Sequence, residues 1–269
     1  MSGRLVVFGV ALALAVAGCA SERPADARER LRGAVERLEE AGGAAILVEA
    51  TYHNQPSATR IVSTGLIDIA HRRYEVTTTL PRTGTVRRVY ADGLAYEWRP
   101  VTGWTLTDVE AAVRGSSAFG LGHLASNPVL LLDLLRAAGE PSGTGGASAE
   151  ADRESGGGES DTGEGLIHAE ADLDRLHDAD PVWSALAGQV RPASGARTVP
   201  VGVGTDGEGR ANLLRVTLPL PRQGTAPRGR PEVDVTVRLS RFGAPTNITP
   251  PPPEKVRDIT AQITHPSGD

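Results

Sequence analysis

The residues able to do covalent or metal chemistry are few in this chain and badly spaced for it. Its 269 residues include one cysteine, Cys19, and six histidines. A serine hydrolase would carry a nucleophile motif such as G-x-S-x-G or S-x-x-K, and neither occurs. His168, Glu170, Asp172, Asp174, His177, Asp178 and Asp180 crowd one segment with metal-binding side-chain types. Their spacing holds no H-x-x-x-H or H-E-x-x-H pair and no EF-hand glycine, so a solvated acidic face accounts for them better and no metal site is assigned. Gly202-Val203-Gly204-Thr205-Asp206-Gly207 matches the glycine pattern of a dinucleotide loop. A phosphate cradle needs a helix next, whereas Glu208-Gly209-Arg210 leads into another strand. The stretch reads as a hairpin with Asp206-Gly207 in its turn, and no cofactor is implied. His71-Arg72-Arg73, Arg82 and Arg87-Arg88 read as solvated strand ends. The alternative puts one or two of these arginines at a cavity mouth, where a guanidinium fork suits a phosphate head group.

Cys19 is the exception, because its surroundings specify its chemistry. Arg4 is followed by an apolar run, Leu5 to Ala17, and by Val16-Ala17-Gly18-Cys19. A charged start, a short apolar stretch and a small-residue cleavage site make an export signal over residues 1–18. The run is too short to span a bilayer, which takes ~20 apolar residues. Val-Ala-Gly-Cys resembles a bacterial lipobox, which implies cleavage before Cys19 and a diacylglycerol on its sulfur. Two acyl chains anchor stably where one does not, so the expected location is the outer face of the cell membrane. An ordinary secreted protein or an uncut apolar anchor would not require the only cysteine to fall at the cleavage site. With no second cysteine there is no intramolecular disulfide, and the fold rests on its core alone.

The elements that follow belong to an α+β chain. Net charge is −5, which gives no reason to expect nucleic acid or an anionic surface as partner. Lys255 is the only lysine among 28 basic residues, and aromatics are 4% of the chain, so Val, Leu, Ile and Ala must fill the core. Residues 19–27 are a short tether. Arg28–Ala41 carries Leu31, Ala34, Val35 and Leu38 at helical spacing. Period-two alternation then predicts strands over Ala44–Tyr52, Arg60–Ala70, Tyr74–Leu80, Thr85–Ala91, Leu94–Arg99 and Gly103–Thr107. Asp92-Gly93 suits a two-residue type I′ turn. Asn127 caps a Leu-rich helix that starts at Pro128 and stops at Gly139. Glu140–Glu164 has seven acids against one base and no large apolar residue, so disorder is expected. Strands resume at Leu166–Ala171, Thr198–Thr205, Leu213–Leu218 and Glu232–Leu239, with short helical pieces at Asp172–His177 and Pro181–Ala187. Glu254–Thr264 is expected to add an edge strand.

The order of these features resembles the LppX/LprG family of actinobacterial envelope lipoproteins, which share the fold of the lipoprotein carrier LolA. The stretches that carry the likeness are the lipobox, the helix before the first strand, Asp92-Gly93 with Tyr96-Glu97-Trp98 and Gly103-Trp104, and Asn127 to Leu135. Val199-Pro200-Val201, Gly209-Arg210 with Leu214-Arg215-Val216, and Phe242 to Ile248 with the following prolines complete it. The resemblance implies one strongly curved antiparallel sheet, a half-open barrel, packed against a few helices as a single domain over 28–265. The acidic stretch 140–164 would be an insertion in it, replacing family chain before a Thr/His-Tyr pair that Ile167-His168 lacks. It implies a non-catalytic lipoprotein that binds or transfers lipid or glycolipid acyl chains, with an envelope transport protein as a partner. Ile46, Val48, Ile67, Trp98, Leu131, Leu135, Val216 and Val235 are the expected lining of the apolar space. The competing readings are an envelope sensor or scaffold whose acidic loop binds a partner, and a hydrolase with a histidine beside a carboxylate. Cys19→Ser should abolish acylation and move the protein from the detergent to the aqueous phase in a detergent partition; continued partition into detergent would overturn the lipobox assignment.

Overall fold

Alternation of apolar and polar residues dominates the chain after Gly43, and these stretches join into one sheet. The computed structural model describes residues 24–54, 57–80, 84–116, 123–139, 166–194, 197–219 and 232–265. Cys19, its leader, Arg82 and the acidic stretch 140–164 lie outside the described residues. Strands β1 (Gly43–Asn54), β2 (Ser57–Asp68), β3 (Arg73–Leu80), β4 (Gly84–Ala91), β5 (Leu94–Arg99) and β6 (Gly103–Asp108) form an antiparallel meander. A second antiparallel run comprises β7 (Ile167–Asp172), β8 (Thr198–Thr205), β9 (Ala211–Pro219) and β10 (Glu232–Ser240). Because β10 pairs with β1, the two runs are one 11-stranded sheet in the order β11-β6-β5-β4-β3-β2-β1-β10-β9-β8-β7. β11 (Val256–Asp258) lies parallel to β6 and is all that forms of the expected edge strand. Asp258 accepts a hydrogen bond from the Thr260 N–H at 2.8 Å, a local turn that ends the strand and starts a short helix.

The other helices follow from capping and from apolar stripes. They are α1 (Pro24–Glu40), α2 (Val109–Gly115), α3 (Pro128–Gly139), α4 (Leu173–Ala179) and α5 (Pro181–Ser194), with α6 (Thr260–Thr264) at the end. The α1 stripe of Leu31, Ala34, Val35 and Leu38 is buried. Asn127 caps α3 as its sequence predicts, its side-chain oxygen accepting from the Val129 N–H at 3.0 Å. Asp92 and Gly93 both take positive φ, 54° and 79°, as a type I′ turn between β4 and β5 requires.

Curvature explains how a helix with almost no polar face can be covered. In α3, Leu130, Leu131, Leu132, Leu134 and Leu135 are all buried. Each contributes about 1.5–3 kcal/mol when fully removed from water. The helix packs against β3 on one side and against β7 and β8 on the other, with α1 closing over it. Those strands stand far apart in the sheet order, so only a sheet that wraps can touch the helix from both sides. Gly65 marks one bend: a Cβ there would fall 1.9 Å from the Glu75 carbonyl oxygen of β3.

One acid sits inside this apolar contact. Asp133 on α3 is buried and accepts two hydrogen bonds from Arg72, at 2.6 and 2.8 Å. It also accepts from Arg136 at 2.8 Å and from the indole N–H of buried Trp183 at 3.1 Å. Arg136 in turn reaches Glu39 of α1 at 2.7 Å. Hydrogen bonding to Asp133 raises the Arg72 pKa, with burial opposing it. Arg72 is thus no solvated strand end; it ties the β2–β3 turn to α3. Asp133→Ala strands the Trp183 indole N–H, removes the main partner of Arg72, which keeps only a 3.4 Å contact to Asp180, and takes one of two partners from Arg136. It should cost about 3 kcal/mol in urea denaturation, the low end for a broken buried pair because Arg72 keeps some water; a loss below about 1 kcal/mol would show that the network is not holding the helix.

Candidate functional site

The register of the strands assigns each side chain to a face. Ala44, Ile46, Val48 and Ala50 share the inner face with Ile67, Gly65, Ser63 and Ile61 across β2. The same face continues through Val237 and Val235 of β10 to Leu214 and Val216 of β9 and to Val203 and Val201 of β8. Ile46, Val48, Ile67, Leu131, Leu135, Val216 and Val235 are all buried in one hydrophobic cluster, with α3 seated on the sheet. Trp98 does not join them. It pairs with Trp104 across β5 and β6 on the outer face, beside Arg87, whose guanidinium lies 5.7 Å from the Trp104 ring centre. The reason is the strict period of two: Glu97 takes the inner position opposite Arg88, so its neighbour must point outward.

Open space on the inner face lies toward one end of this cluster. A partly open cavity of about 130 Å³ lies between β1, β2, β3, β4 and the helical turn at 123–126. Val48, Ala50, Ile61, Leu80 and Ala125 form its apolar wall. Of the expected lining residues, Val48 borders this cavity, while the others near α3 are packed against helix and sheet. The Leu-rich helix fills the wrapped sheet at its own level and leaves room beyond its N-terminal end. A larger depression of about 260 Å³ lies on the outer face between Thr77, Thr85, Arg87, Trp98 and Trp104. It is an open hollow on a sheet surface, more exposed than the inner one.

Polar groups reach the inner cavity at defined points. Ser63 and Thr78 stand opposite each other and share a hydrogen bond at 2.6 Å, so they satisfy one another. Arg88 and Tyr52 also border the cavity. Arg88 donates from Nε to Glu97 at 2.7 Å, and Glu97 accepts from Arg99 Nε as well. Burial pushes the Glu97 carboxyl up, but the Arg88 charge and the bonds from Arg88 and Arg99 more than offset it, so it is held below its ordinary range. Burial raises the Tyr52 hydroxyl, opposed by Arg88. The sequence offered Arg87-Arg88 as solvated strand ends; the structure divides them, with Arg87 outside and Arg88 inside.

The turn at 123–126 is fixed by an aromatic and amide cluster. Tyr74 and Tyr90 stack across β3 and β4 with ring centres 5.6 Å apart, and His123 lies 6.4 Å from Tyr90. The Asn127 amide donates to His123 Nε2 at 2.9 Å. The histidine residue is only half-buried as a whole, but its ring is enclosed, and burial pushes its pKa down to about 3, aided by the Arg88 charge and opposed by Glu97. It is therefore neutral at physiological pH and not an acid–base catalyst there.

Other sequence candidates have structural employment. Asp206 accepts from the Glu208 and Arg210 N–H groups, both at 2.9 Å, closing the β8–β9 hairpin that the glycine pattern was read as. Asp172 caps α4 through the Asp174 N–H, and Asp180 caps α5 through the Val182 N–H. In the segment 168–180, Asp172 and Asp180 start helices, while His168, Glu170, His177 and Asp178 are exposed as a solvated face requires.

No protein-family model matches the chain. No curated protein matches it in sequence. Among solved structures, it is similar to the lipoprotein LppX of Mycobacterium tuberculosis, at 10% identity and a TM-score of 0.43 over 84% of this chain and 100% of the other. It is also similar to LprF from Mycobacterium bovis, at 13% identity and a TM-score of 0.35 over 84% of this chain and 97% of the other.

The enclosed imidazole gives the site a measurable signature. In the unfolded chain His123 titrates near ~6.5, against about 3 when folded. Its stabilising effect is complete above the unfolded value and is lost as pH falls toward the folded one, by about 1.4 kcal/mol per pH unit. Between pH 7.5 and 5.0 the wild-type chain should therefore lose about 2 kcal/mol that His123→Gln does not lose; identical pH profiles in urea denaturation would contradict an enclosed ring.

Proposed function

We propose that the protein is a membrane-tethered, non-catalytic lipoprotein that holds lipid or glycolipid acyl chains against the inner face of its curved sheet and passes them within the cell envelope. The observation that carries this reading is the partly open cavity beside the 123–126 turn, which has an apolar side of Val48, Ala50, Ile61, Leu80 and Ala125 and adjoins the hydrophobic cluster under α3. An acyl chain asks for a dry apolar wall and nothing else, gaining about 0.8 kcal/mol per buried CH₂. Most of the polar groups described above are tied into caps, turns and ion pairs. The export signal and Cys19 add the anchor that would keep such a container at the outer face of the membrane. Ile46, Val48, Ile67, Val216 and Val235 form the sheet floor that adjoins the cavity, with Leu131 and Leu135 of α3 above it, and a chain longer than the present cavity would pass between these two layers. Trp98, on the outer face, has no part in this.

The test is retention of lipid. The protein, produced in an actinobacterial host and extracted with organic solvent, should release about one acyl lipid per chain in mass spectrometry beyond the lipid bound to Cys19. Ala50→Phe, which fills the cavity, should remove that lipid while the chain stays folded. Wild-type protein that carries no stoichiometric lipid would point instead to a scaffold with a solid core.

A further inference from the structure

The inner cavity is not charge-neutral, and its charge is unbalanced in one direction. One carboxylate, Glu97, serves two guanidinium groups, accepting from Arg88 Nε and from Arg99 Nε. In this cluster the inner face of β4 and β5 thus carries one positive charge in excess. The neighbours do not cancel it: Tyr52 keeps its proton because burial raises its pKa, and enclosed His123 is neutral. Arg88 borders the cavity, and among the described residues it hydrogen-bonds through Nε to Glu97 and not through its two terminal Nη groups. Tyr52 lines the same cavity, and its hydroxyl has no hydrogen bond to any described residue. A two-pronged cation and a phenol donor therefore stand at an apolar space with their donors unspent. A guanidinium whose Nε is engaged by one carboxylate still presents its Nη pair to a second oxyanion.

The geometry points to a head-group subsite: Arg88, assisted by the Tyr52 hydroxyl, binds the singly anionic oxyanion of a single-chain amphiphile whose hydrocarbon lies along Val48, Ala50, Ile61 and Leu80. This rests on the acyl-chain reading above and adds the sign of the head group and its place inside the fold. Size supports a single chain. A cavity of about 130 Å³ is below the ~300–1,000 Å³ of most ligand pockets; it takes a small head or a short stretch of chain and not two chains side by side. Charge supports a single negative group, which would bring the Arg88–Glu97–Arg99 cluster to neutrality. Carboxylate and phosphodiester heads share this chemistry.

Native mass spectrometry of the full lipid-anchored chain, released from maltoside micelles, reads the prediction directly. The chain is titrated separately with oleic acid, its methyl ester and lysophosphatidylglycerol. The wild type should hold one or both anions about tenfold or more tighter than the ester, as expected for a charge-assisted bond to an otherwise unpaired donor; which anion wins separates carboxylate from phosphate. Arg88→Gln should bring the anions down to the level of the ester, and Tyr52→Phe should weaken them a few-fold with the ester unchanged. Arg88→Lys keeps the charge beside Glu97 and serves as the folded control, checked by circular dichroism, with anion binding between the two. If ester and anions bind the wild type equally, or Arg88→Gln leaves anion binding intact, this subsite is wrong while the acyl-chain reading stands. If none of the three ligands binds, both fall.

Discussion

Asp133 is the one charge on the buried surface of α3, and the way it is satisfied decides how the rest of the molecule is held. An isolated carboxylate in that position would be strongly destabilising. Here it receives both prongs of Arg72, a bond from Arg136 and the indole N–H of Trp183. Those donors come from the β2–β3 turn, from α3 itself and from α5, and Arg136 passes the connection on to Glu39 of α1. Apolar packing alone is non-directional, and a Leu-rich helix against a Val-rich sheet could slide or rotate at little cost. The saturated carboxylate fixes one rotation and one height for α3. Burial of such a pair adds little net stability against a well-packed apolar substitute, so its value lies in specifying the arrangement.

That height determines where space is left. The sheet wraps far enough for α3 to meet β3 on one side and β7 and β8 on the other. Leucine side chains fill the groove where the helix runs, and among the described residues the groove opens past the Asn127 cap, where the chain turns through 123–126. The cavity is a consequence of a helix shorter than the groove it occupies. Its wall is made by small and branched residues of β1 and β2, and its far side by a turn that His123, Tyr90 and Asn127 hold in place.

Much of the scaffold was readable from residue order because it depends on local rules. The period of two gave the strands, Asp92-Gly93 gave the hairpin, and Asn127-Pro128 gave the start of α3. The last segment was misread for the same kind of reason: Asp258 captures the Thr260 N–H and converts a candidate strand into a helix within two residues. The site was less legible. Seven of the eight expected lining residues do meet in one cluster, since apolar residues on alternating positions must share a face. Which of them border a void is not a property of a sequence, because it depends on how far α3 reaches along the groove. Trp98 shows the limit most clearly. Hydrophobicity placed it inside, but the partner that Arg88 needs is Glu97, and a strand cannot put two neighbours on one face.

The comparison between Asp133 and Arg88 separates structural charges from functional ones in this molecule. Both lie on the inner side of the sheet and both are ion-paired. Around Asp133 the single carboxylate has more donors than it has oxygens, and those donors come from three elements, so disturbing any one of them disturbs the packing. Around Glu97 the balance is reversed in its consequence: the carboxylate is shared between two arginines of adjacent strands, and Arg88 is left with donors turned to a cavity and not to another element. An arrangement that served only to hold β4 against β5 would not need the second arginine, since the backbone ladder already joins those strands. A guanidinium whose remaining donors stand at a cavity can take an oxyanion that enters from outside, which is what distinguishes a binding group from a strut.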